Sequence, residues 1–159
     1  MERHGVGFMI HAKLLPHLED ITPVSGRLSI LQIRGPTPTV LASAYAPTAD
    51  STVDEKHKFY DLLAEHLGKI KGKSTLVIAG DFNARLYSRM DLDPTLVGPH
   101  ILQHEQEVIP RNQQTLESRD LFHDFCLCQG LNIRNTWFEA PQKKLATLRN
   151  IGVTETPPL

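Results

Sequence analysis

The sequence has few cysteines and no long apolar run. Only two of its 159 residues are cysteine, which excludes the dense disulfide framework of small secreted domains. Cys126 and Cys128 lie two positions apart in a helical pattern, where they point to different faces and cannot easily bond to each other. No stretch approaches the roughly 18 consecutive apolar residues of a membrane span, and residues 1–4 lack the apolar region of a signal peptide. We therefore expect an intracellular protein of the nucleus or cytoplasm, with no disulfide partner and no membrane partner.

The sequence also lacks a surplus of positive charge. Lys plus Arg number 17 against 18 for Asp plus Glu, so the composition does not indicate nonspecific binding to nucleic acid. A local basic rim within this neutral total is still compatible with such binding. The hydrophobic content of 40% is enough for the core of one domain over 1–159, or for a large part of a bigger one.

The first half of the chain has apolar runs of strand length. Residues 5–10 are expected to form a strand, and 27–33 and 39–45 are expected to form a hairpin around the Gly/Pro-rich turn 35–38. Pro47 then stops the second strand of this hairpin.

A change of period after Ser51 indicates a helix over about 52–69. Ser51 or Thr52 can cap this helix, and Asp54 or Glu55, three residues on, would complete a capping box. Residues 74–79 follow as a nearly all-apolar run, which is typical of a strand covered on both faces.

The remainder of the chain is less regular. Residues 85–116 are polar and interrupted by prolines, so we expect an irregular insertion or loop. A second helix is expected between a cap at Ser118 and a terminating glycine, Gly130, and a last short strand over 131–138.

The run 80–84 (GDFNA) ends the buried strand and carries the most informative polar residues. In an extended segment Asp81 and Asn83 share a face, while Phe82 points into the opposite layer. A carboxylate that orients water or binds a cation, beside an amide that donates hydrogen bonds, suits phosphate ester hydrolysis. Gly80 permits close approach of another backbone or a substrate. The alternative is an Asx turn that merely terminates the strand, the commoner role of a bare Asp-x-Asn.

Two further residues fit a phosphate site. Tyr45 also ends a predicted strand, where its phenol could donate to a phosphoryl oxygen, although a core tyrosine with an exposed hydroxyl is the structural alternative. Arg27 opens the preceding strand and could contact phosphate or pair with a carboxylate.

Other sequence patterns suggest an NTPase loop or a metal site, and each fits that chemistry less well. The segment 68–74 imitates a phosphate-binding loop with Lys73, but it would leave a helix and enter a strand, the reverse of the NTPase motif. His100 and His104 have the spacing of a zinc pair in an irregular region. His123 with Cys126 and Cys128 could ligate a metal, although the surrounding phenylalanines favour a buried helix face.

Several short segments occur together in a specific order: 5–8 (GVGF), 26–28 (GRL), 43–48 (SAYAPT), 80–84 (GDFNA), 135–138 (NTWF) and 144–150 (KLATLRN). The series resembles the endonuclease/exonuclease/phosphatase family, and is most similar to the apurinic-type endonuclease domains of non-LTR retrotransposons and their host relatives. The resemblance implies an α/β (α+β) fold of two packed, mostly antiparallel sheets flanked by helices, a four-layer α/β/β/α sandwich incomplete at both ends.

The resemblance also implies roles for individual residues. Asp81 would position the attacking water and serve as a secondary metal ligand, Asn83 would act at the scissile phosphate, and Tyr45 would contact phosphate. Arg27, Thr48 and Thr147 would bind substrate. The cofactor of the intact domain would be Mg²⁺ or Mn²⁺, and its partner DNA.

The chain departs from the family at both ends. The metal-binding Glu that precedes the first matched strand and the late Asp-His pair have no counterpart in the sequence, and His123 lies too early to replace that histidine. The sequence therefore leaves two expectations open: a DNA endonuclease of retroelement origin, or a catalytically inactive fragment or binding remnant.

Overall fold

A computed structural model describes residues 5–70, 72–86, 93–101 and 113–141. Four strands and two α-helices lie within these ranges. In chain order they are β1 (Leu18–Ser25), β2 (Leu28–Ile33), β3 (Thr39–Tyr45), α1 (Val53–Gly68), β4 (Thr75–Asp81) and α2 (Gln113–Cys128). Two 3₁₀ helices, Ala12–His17 and Arg134–Trp137, complete the regular structure of these ranges. None of the helices in the described ranges combines the length and the apolar character needed to span a membrane.

The strands form one mixed sheet in the order β1-β2-β3-β4. The first two pairs are antiparallel, and β3 and β4 are parallel, with α1 as the connection between them. A sheet of this kind with packed helices is an α+β fold, as the sequence predicts. The described residues contain a single sheet, so the second sheet of the sandwich stays a prediction.

The predicted hairpin of β2 and β3 is confirmed. Its register runs from Leu28 opposite Ala44 to Ile33 opposite Thr39. Because side chains alternate along a strand, one face of the pair presents mainly small and branched apolar groups to the helices. The buried residues of this face are Leu28, Ile30, Val40, Ala42 and Ala44.

The helices cover that face with aromatic and branched residues. The helical members of the same core cluster are Phe59, Tyr60, Leu63, Leu67, Phe122, Phe125 and Cys126. Each fully buried large apolar side chain contributes about 2 kcal/mol to folding. The core therefore fixes α1 and α2 against β2 and β3, and with them the ends of those strands.

The predicted start of α1 is confirmed in detail. Thr52 is the N-cap, its hydroxyl accepts the Glu55 N–H at 3.3 Å, and the Glu55 carboxylate accepts the Thr52 N–H at 3.0 Å. This reciprocal capping box needs only residues close in sequence, which is why the sequence pattern predicts it.

The end of α2 is predicted correctly and its start is not. Gly130 has φ of 62°, the Leu131 N–H donates to the Cys126 carbonyl and the Gly130 N–H donates to the Leu127 carbonyl, which is a Schellman ending. However, the helix begins at Gln113, inside the range that the sequence leaves irregular. The predicted cap at Ser118 is wrong, because Ser118 lies buried within the helix.

The strand predicted over 5–10 is wrong: these residues have no regular secondary structure. The first strand is instead β1, which pairs with β2 across a tight turn, with Ser25 opposite Leu28. Such a short connection costs little loop entropy. Pro23 is tolerated there because β1 is an edge strand of the described sheet.

The strand predicted over 131–138 is also wrong. Ile133 forms one isolated parallel bridge with Val97, and Arg134–Trp137 is a 3₁₀ helix. The Gly98 N–H donates to the Thr136 hydroxyl at 2.7 Å, so this segment packs against residues 96–98 rather than joining the sheet.

The expectation that the β4 strand is covered on both faces is wrong for the described part of the chain. Leu76 and Ile78 are half-buried, but Val77, on the opposite face, is 43% exposed. An apolar run predicts a strand well, yet it does not report how many layers cover it.

Candidate functional site

Three of the predicted site residues lie in one row at the end of the sheet: Tyr45 and Asp81 end β3 and β4, and Arg27 is in the turn before β2. Tyr45 of β3 is the register partner of Asp81 of β4, and the Tyr45 N–H donates to the Arg27 carbonyl at 2.9 Å. Residues opposite each other in a sheet share a face, and adjacent strands are about 4.8 Å apart. The fold thus brings Arg27, Tyr45 and Asp81 together at one end of the sheet, a group called the strand-end row below.

Arg27 is held against Tyr45. Its guanidinium carbon lies 5.1 Å from the centroid of the Tyr45 ring, a cation–π geometry. Its Nη1 donates to the carbonyls of Tyr45 at 3.3 Å and Ala46 at 3.4 Å. A permanent positive charge therefore lies beside the half-buried phenol.

Asp81 begins an Asx turn. Its Oδ1 accepts the backbone N–H of Asn83 at 2.9 Å, and Asn83 has φ of 48°, in the left-handed region that asparagine tolerates. The strand ends at Asp81, so the strand alternation that predicted a shared face for Asp81 and Asn83 does not extend that far. The Asx-turn alternative is therefore present in the structure. The Asp81 side chain is nevertheless exposed and accessible to a ligand.

Asn83 is linked to the strand-end row by a hydrogen bond from its side chain. Its Nδ2 donates to the Ala46 carbonyl at 2.8 Å, the same oxygen that accepts from Arg27. The Ala46 N–H in turn donates to the Asp81 carbonyl at 2.9 Å. Ala46 is thus a backbone link between the row and the Asx turn. Sequence reasoning missed it, because a buried alanine carries no side-chain signal; the only hint was its place between Tyr45 and Pro47.

The glycine before Asp81 is needed for the approach of β3. A Cβ on Gly80 would lie 1.7 Å from the carbonyl oxygen of Ala44. The prediction that Gly80 permits a close backbone approach is confirmed, and the approaching group is the neighbouring strand.

Phe82 anchors the turn to the helical layer. Its ring stacks on that of Phe122 of α2, with centroids 4.6 Å apart and an interplanar angle of 28°. The predicted opposite direction of Phe82 relative to Asp81 is confirmed. Packing of this ring pair holds the Asx turn against the core.

The remaining substrate-binding candidates are distributed differently. Thr48 is exposed, with its hydroxyl 3.5 Å from that of Ser51. Together with Arg27, it lines a cleft of about 510 Å³ beside α1. Thr147 lies outside the described residues.

Comparison with known proteins gives one similarity over most of the chain. The chain is similar to craniofacial development protein 2 of Tragulus javanicus. The two are 28% identical over 149 residues, which cover 92% of this chain and 24% of the relative. The chain thus spans about a quarter of the length of craniofacial development protein 2. No family model and no solved structure matches the chain.

Among the described residues, no group of three or more His, Cys, Asp or Glu side chains is placed to hold a metal ion. Asp81 is the carboxylate of the strand-end row. Mg²⁺ is commonly held by one or two carboxylates together with water and substrate phosphate, so Asp81 can supply one such ligand.

The alternative metal residues have structural contacts. His123 Nε2 accepts the Asp93 N–H at 3.3 Å, and its Nδ1 lies 3.3 Å from Asp124 Oδ1. Cys126 is buried in the core, and burial raises the pKa of its thiol to about 12, whereas Cys128 is exposed. The buried helix face therefore accounts for Cys126, whereas the exposed Cys128 lies off that face. His104, which shares zinc-like spacing with His100, lies outside the described residues.

The order of elements around residues 68–74 argues against a phosphate-binding loop. Helix α1 ends at Gly68 and β4 begins at Thr75, so the glycine-rich connection leaves a helix and enters a strand. A phosphate-binding loop uses the N–H groups at the start of a helix, which this connection does not offer.

Proposed function

We propose that the chain belongs to the endonuclease/exonuclease/phosphatase family, and that the strand-end row is part of a site for metal-dependent hydrolysis of phosphodiesters, with DNA as substrate. The observation that carries this proposal is the alignment of Tyr45 and Asp81 at the ends of β3 and β4 with Arg27, in the turn before β2. The similarity to craniofacial development protein 2 covers 92% of the chain, so it extends over most of the segments on which the resemblance to retrotransposon endonucleases rests.

The chemistry of the row suits a phosphodiester. The Arg27 guanidinium supplies positive charge for a phosphoryl oxygen, and the Tyr45 phenol supplies a neutral donor beside it. The exposed Asp81 carboxylate orients a water molecule for attack on phosphorus. The Asn83 amide has two N–H donors, of which one bonds to Ala46, so the other is available to position the phosphate.

Asp81 would be the metal ligand contributed by this row. A bound Mg²⁺ or Mn²⁺ would supply charge stabilisation for the phosphoryl oxygens. The other proposed roles belong to side chains and backbone of this chain. Arg27 and Tyr45 bind the phosphate, and Asn83 and Ala46 keep the Asx turn in place.

The two-sheet sandwich belongs to the same proposal. The sheet face that points away from the helices carries an apolar row of register partners, Ile21, Leu31, Leu41 and Val77. Ile21 and Val77, at its two ends, are 44% and 43% exposed, whereas Leu31 between them is 2% exposed. An apolar stripe of this kind favours a second layer packed on the sheet.

Plasmid nicking tests the catalytic proposal. The 159-residue chain and any longer product of its gene would be incubated with supercoiled DNA and Mg²⁺, each beside its Asp81→Ala variant. Loss of the carboxylate should lower the nicking rate by about 100-fold or more. Asp61→Ala, an exposed change on α1, is the matched control and should leave the rate unchanged. Equal nicking by Asp81→Ala and the parent would remove Asp81 from the mechanism.

A second candidate is a binding domain without catalysis. It is favoured by the internal bonds of Asp81 and Asn83, whose polar groups already serve the Asx turn. In that case DNA would bind to the chain and remain intact, and Arg27→Ala would weaken binding whereas Asp81→Ala would not. A filter-binding assay run beside the nicking assay separates the two candidates.

A further inference from the structure

The segment after α2 exposes two neighbouring aromatic side chains. Trp137 is 38% exposed and Phe138 is 61% exposed, whereas the Phe and Tyr side chains elsewhere in the described ranges are buried or half-buried. Trp137 ends the second 3₁₀ helix, and Phe138 follows it in an extended conformation. Within the part of the chain that the structure describes, neither ring stacks on another aromatic ring. Their exposed surfaces are therefore accessible to a ligand.

Thr136 holds the backbone under these rings in place. Its side chain is buried, and its hydroxyl donates to the Ile133 carbonyl at 2.6 Å and accepts the Gly98 N–H at 2.7 Å. Its carbonyl accepts the His100 N–H at 2.9 Å. A Cβ on Gly98 would lie 2.3 Å from the same carbonyl oxygen, so the two backbones are in direct contact. A base fixed in this way loses little conformational entropy when the rings above it bind a ligand.

A positive charge lies beside the exposed rings. The guanidinium carbon of Arg134 is 5.6 Å from the centroid of the Phe138 ring, a cation–π geometry. Arg134 is exposed, and no carboxylate among the described residues forms an ion pair with it. Residues 130–138 contain neither Asp nor Glu. Arg134, Trp137 and Phe138, called the aromatic platform below, thus combine two stacking surfaces with an uncompensated cation.

This combination distinguishes between classes of ligand. An apolar peptide would cover the rings and desolvate the Arg134 charge without a partner for it. A sugar would find no carboxylate to accept its hydroxyl groups within 130–138. A nucleic-acid strand supplies both a flat ring for stacking and an anion for the guanidinium, in every nucleotide. In a duplex the bases stack on one another, so their faces are accessible to the platform in a single strand.

We propose that the aromatic platform binds single-stranded nucleic acid, with bases stacked on Trp137 and Phe138 and a phosphate beside Arg134. The proposal uses no residue of the strand-end row, so it does not rest on the proposed hydrolysis. The platform reads no base sequence, because every base has a face that can stack.

Tryptophan fluorescence tests the proposal on the 159-residue chain. Trp137 is the only tryptophan of the sequence, so its emission reports on this surface alone. A short oligothymidine, the same strand annealed to its complement, and inorganic phosphate would each be titrated. We expect the single strand to quench the emission by stacking, the duplex to bind about tenfold more weakly, and phosphate to cause no quenching. No quenching by the single strand, or equal affinity for the duplex, would overturn the proposal.

Three variants separate stacking from other contacts. Phe138→Leu keeps an apolar side chain but removes the ring, and should weaken binding of the single strand about tenfold. Arg134→Gln should also weaken it and should reduce the salt dependence by about 0.7 in the slope of log affinity against log salt concentration. Leu15→Ala, at an exposed apolar position of the first 3₁₀ helix, is the control and should leave binding unchanged.

The outcomes separate this proposal from the proposed function. Binding by Phe138→Leu as tight as that of the parent would show that no base stacks on this ring, and would overturn the proposal. Binding of the single strand by a chain that nicks no DNA would uphold the platform and count against the hydrolase alone.

Discussion

Tyr45 and Asp81 project from the same face of the sheet because they are register partners in the parallel pair of β3 and β4. Each residue is the last of its strand. The carboxyl ends of two parallel strands meet at one edge of a sheet, which is where α/β folds commonly bind ligands. The pairing brings the phenol and the carboxylate close together, although the two residues are far apart in the sequence.

Replacing Gly80 with alanine should disrupt the pairing of β3 and β4. The added Cβ would lie 1.7 Å from the Ala44 carbonyl oxygen, so the strands would have to separate. We expect a loss of about 3 kcal/mol in the free energy of unfolding, measured by urea denaturation. Gly68→Ala is the matched control, since nothing lies within 4 Å of its Cβ position. A Gly80→Ala variant as stable as Gly68→Ala would contradict this register.

The buried ammonium of Lys56 should be essential for joining α1 to α2. It is 2% exposed and donates to the Ala49 carbonyl at 2.8 Å and to Glu117 Oε2 at 3.1 Å. Lys56→Met leaves these acceptors without their donor, so stability should fall by about 3 kcal/mol. Lys58→Met removes an exposed pair with Asp54 and should have little effect. Similar melting temperatures for the two variants would show that the buried pair adds nothing.

Asn83 should respond differently to glycine and to alanine. Both replacements remove the amide that donates to Ala46, but only alanine is strained at φ of 48°. We expect Asn83→Gly to cost about 1 kcal/mol and Asn83→Ala about 2 kcal/mol. Chemical denaturation of both variants measures the difference. If alanine were the milder change, the left-handed turn would be wrong.

Stability should decline in alkaline solution. Burial raises the pKa of the Cys126 thiol from 9.0 to about 12, so between these values the unfolded chain releases a proton that the folded chain keeps. Stability is therefore complete below pH 9 and is lost as the pH rises toward 12. Burial also raises the pKa of Tyr60, which acts in the same direction.

Cys126→Ala isolates this contribution. Its denaturation midpoint should fall less steeply between pH 9 and 11 than that of the parent, whereas Cys128→Ala, at an exposed position, should follow the parent. Parallel pH profiles for all three proteins would show that the Cys126 thiol does not control the alkaline decline.

Parts of the fold that depend on neighbours in sequence were predictable. The capping box of Thr52 and Glu55 and the left-handed Gly130 at the end of α2 each need only a few adjacent residues. The hairpin of β2 and β3 is nearly as local, since its turn residues and its apolar runs adjoin each other. The class of the fold followed from these elements.

The errors concern segments whose structure depends on distant partners. Residues 5–10 have the composition of a strand, but β1 gains the place beside β2 through a tighter turn. Residues 131–138 pack on 96–98, to which no sequence pattern connects them. Strand formation is decided by what a segment can pair with, and this information is not local.

The sequence by itself determined which residue types end the strands: a tyrosine before Ala46, and an aspartate two positions before an asparagine. Tertiary structure decided how they meet. The parallel register places Tyr45 beside Asp81, and the left-handed turn at Asn83 sends its amide to the Ala46 carbonyl. The reason is physical: alternation within one strand is a local rule, whereas register and turn geometry result from hydrogen bonds between segments far apart in the chain.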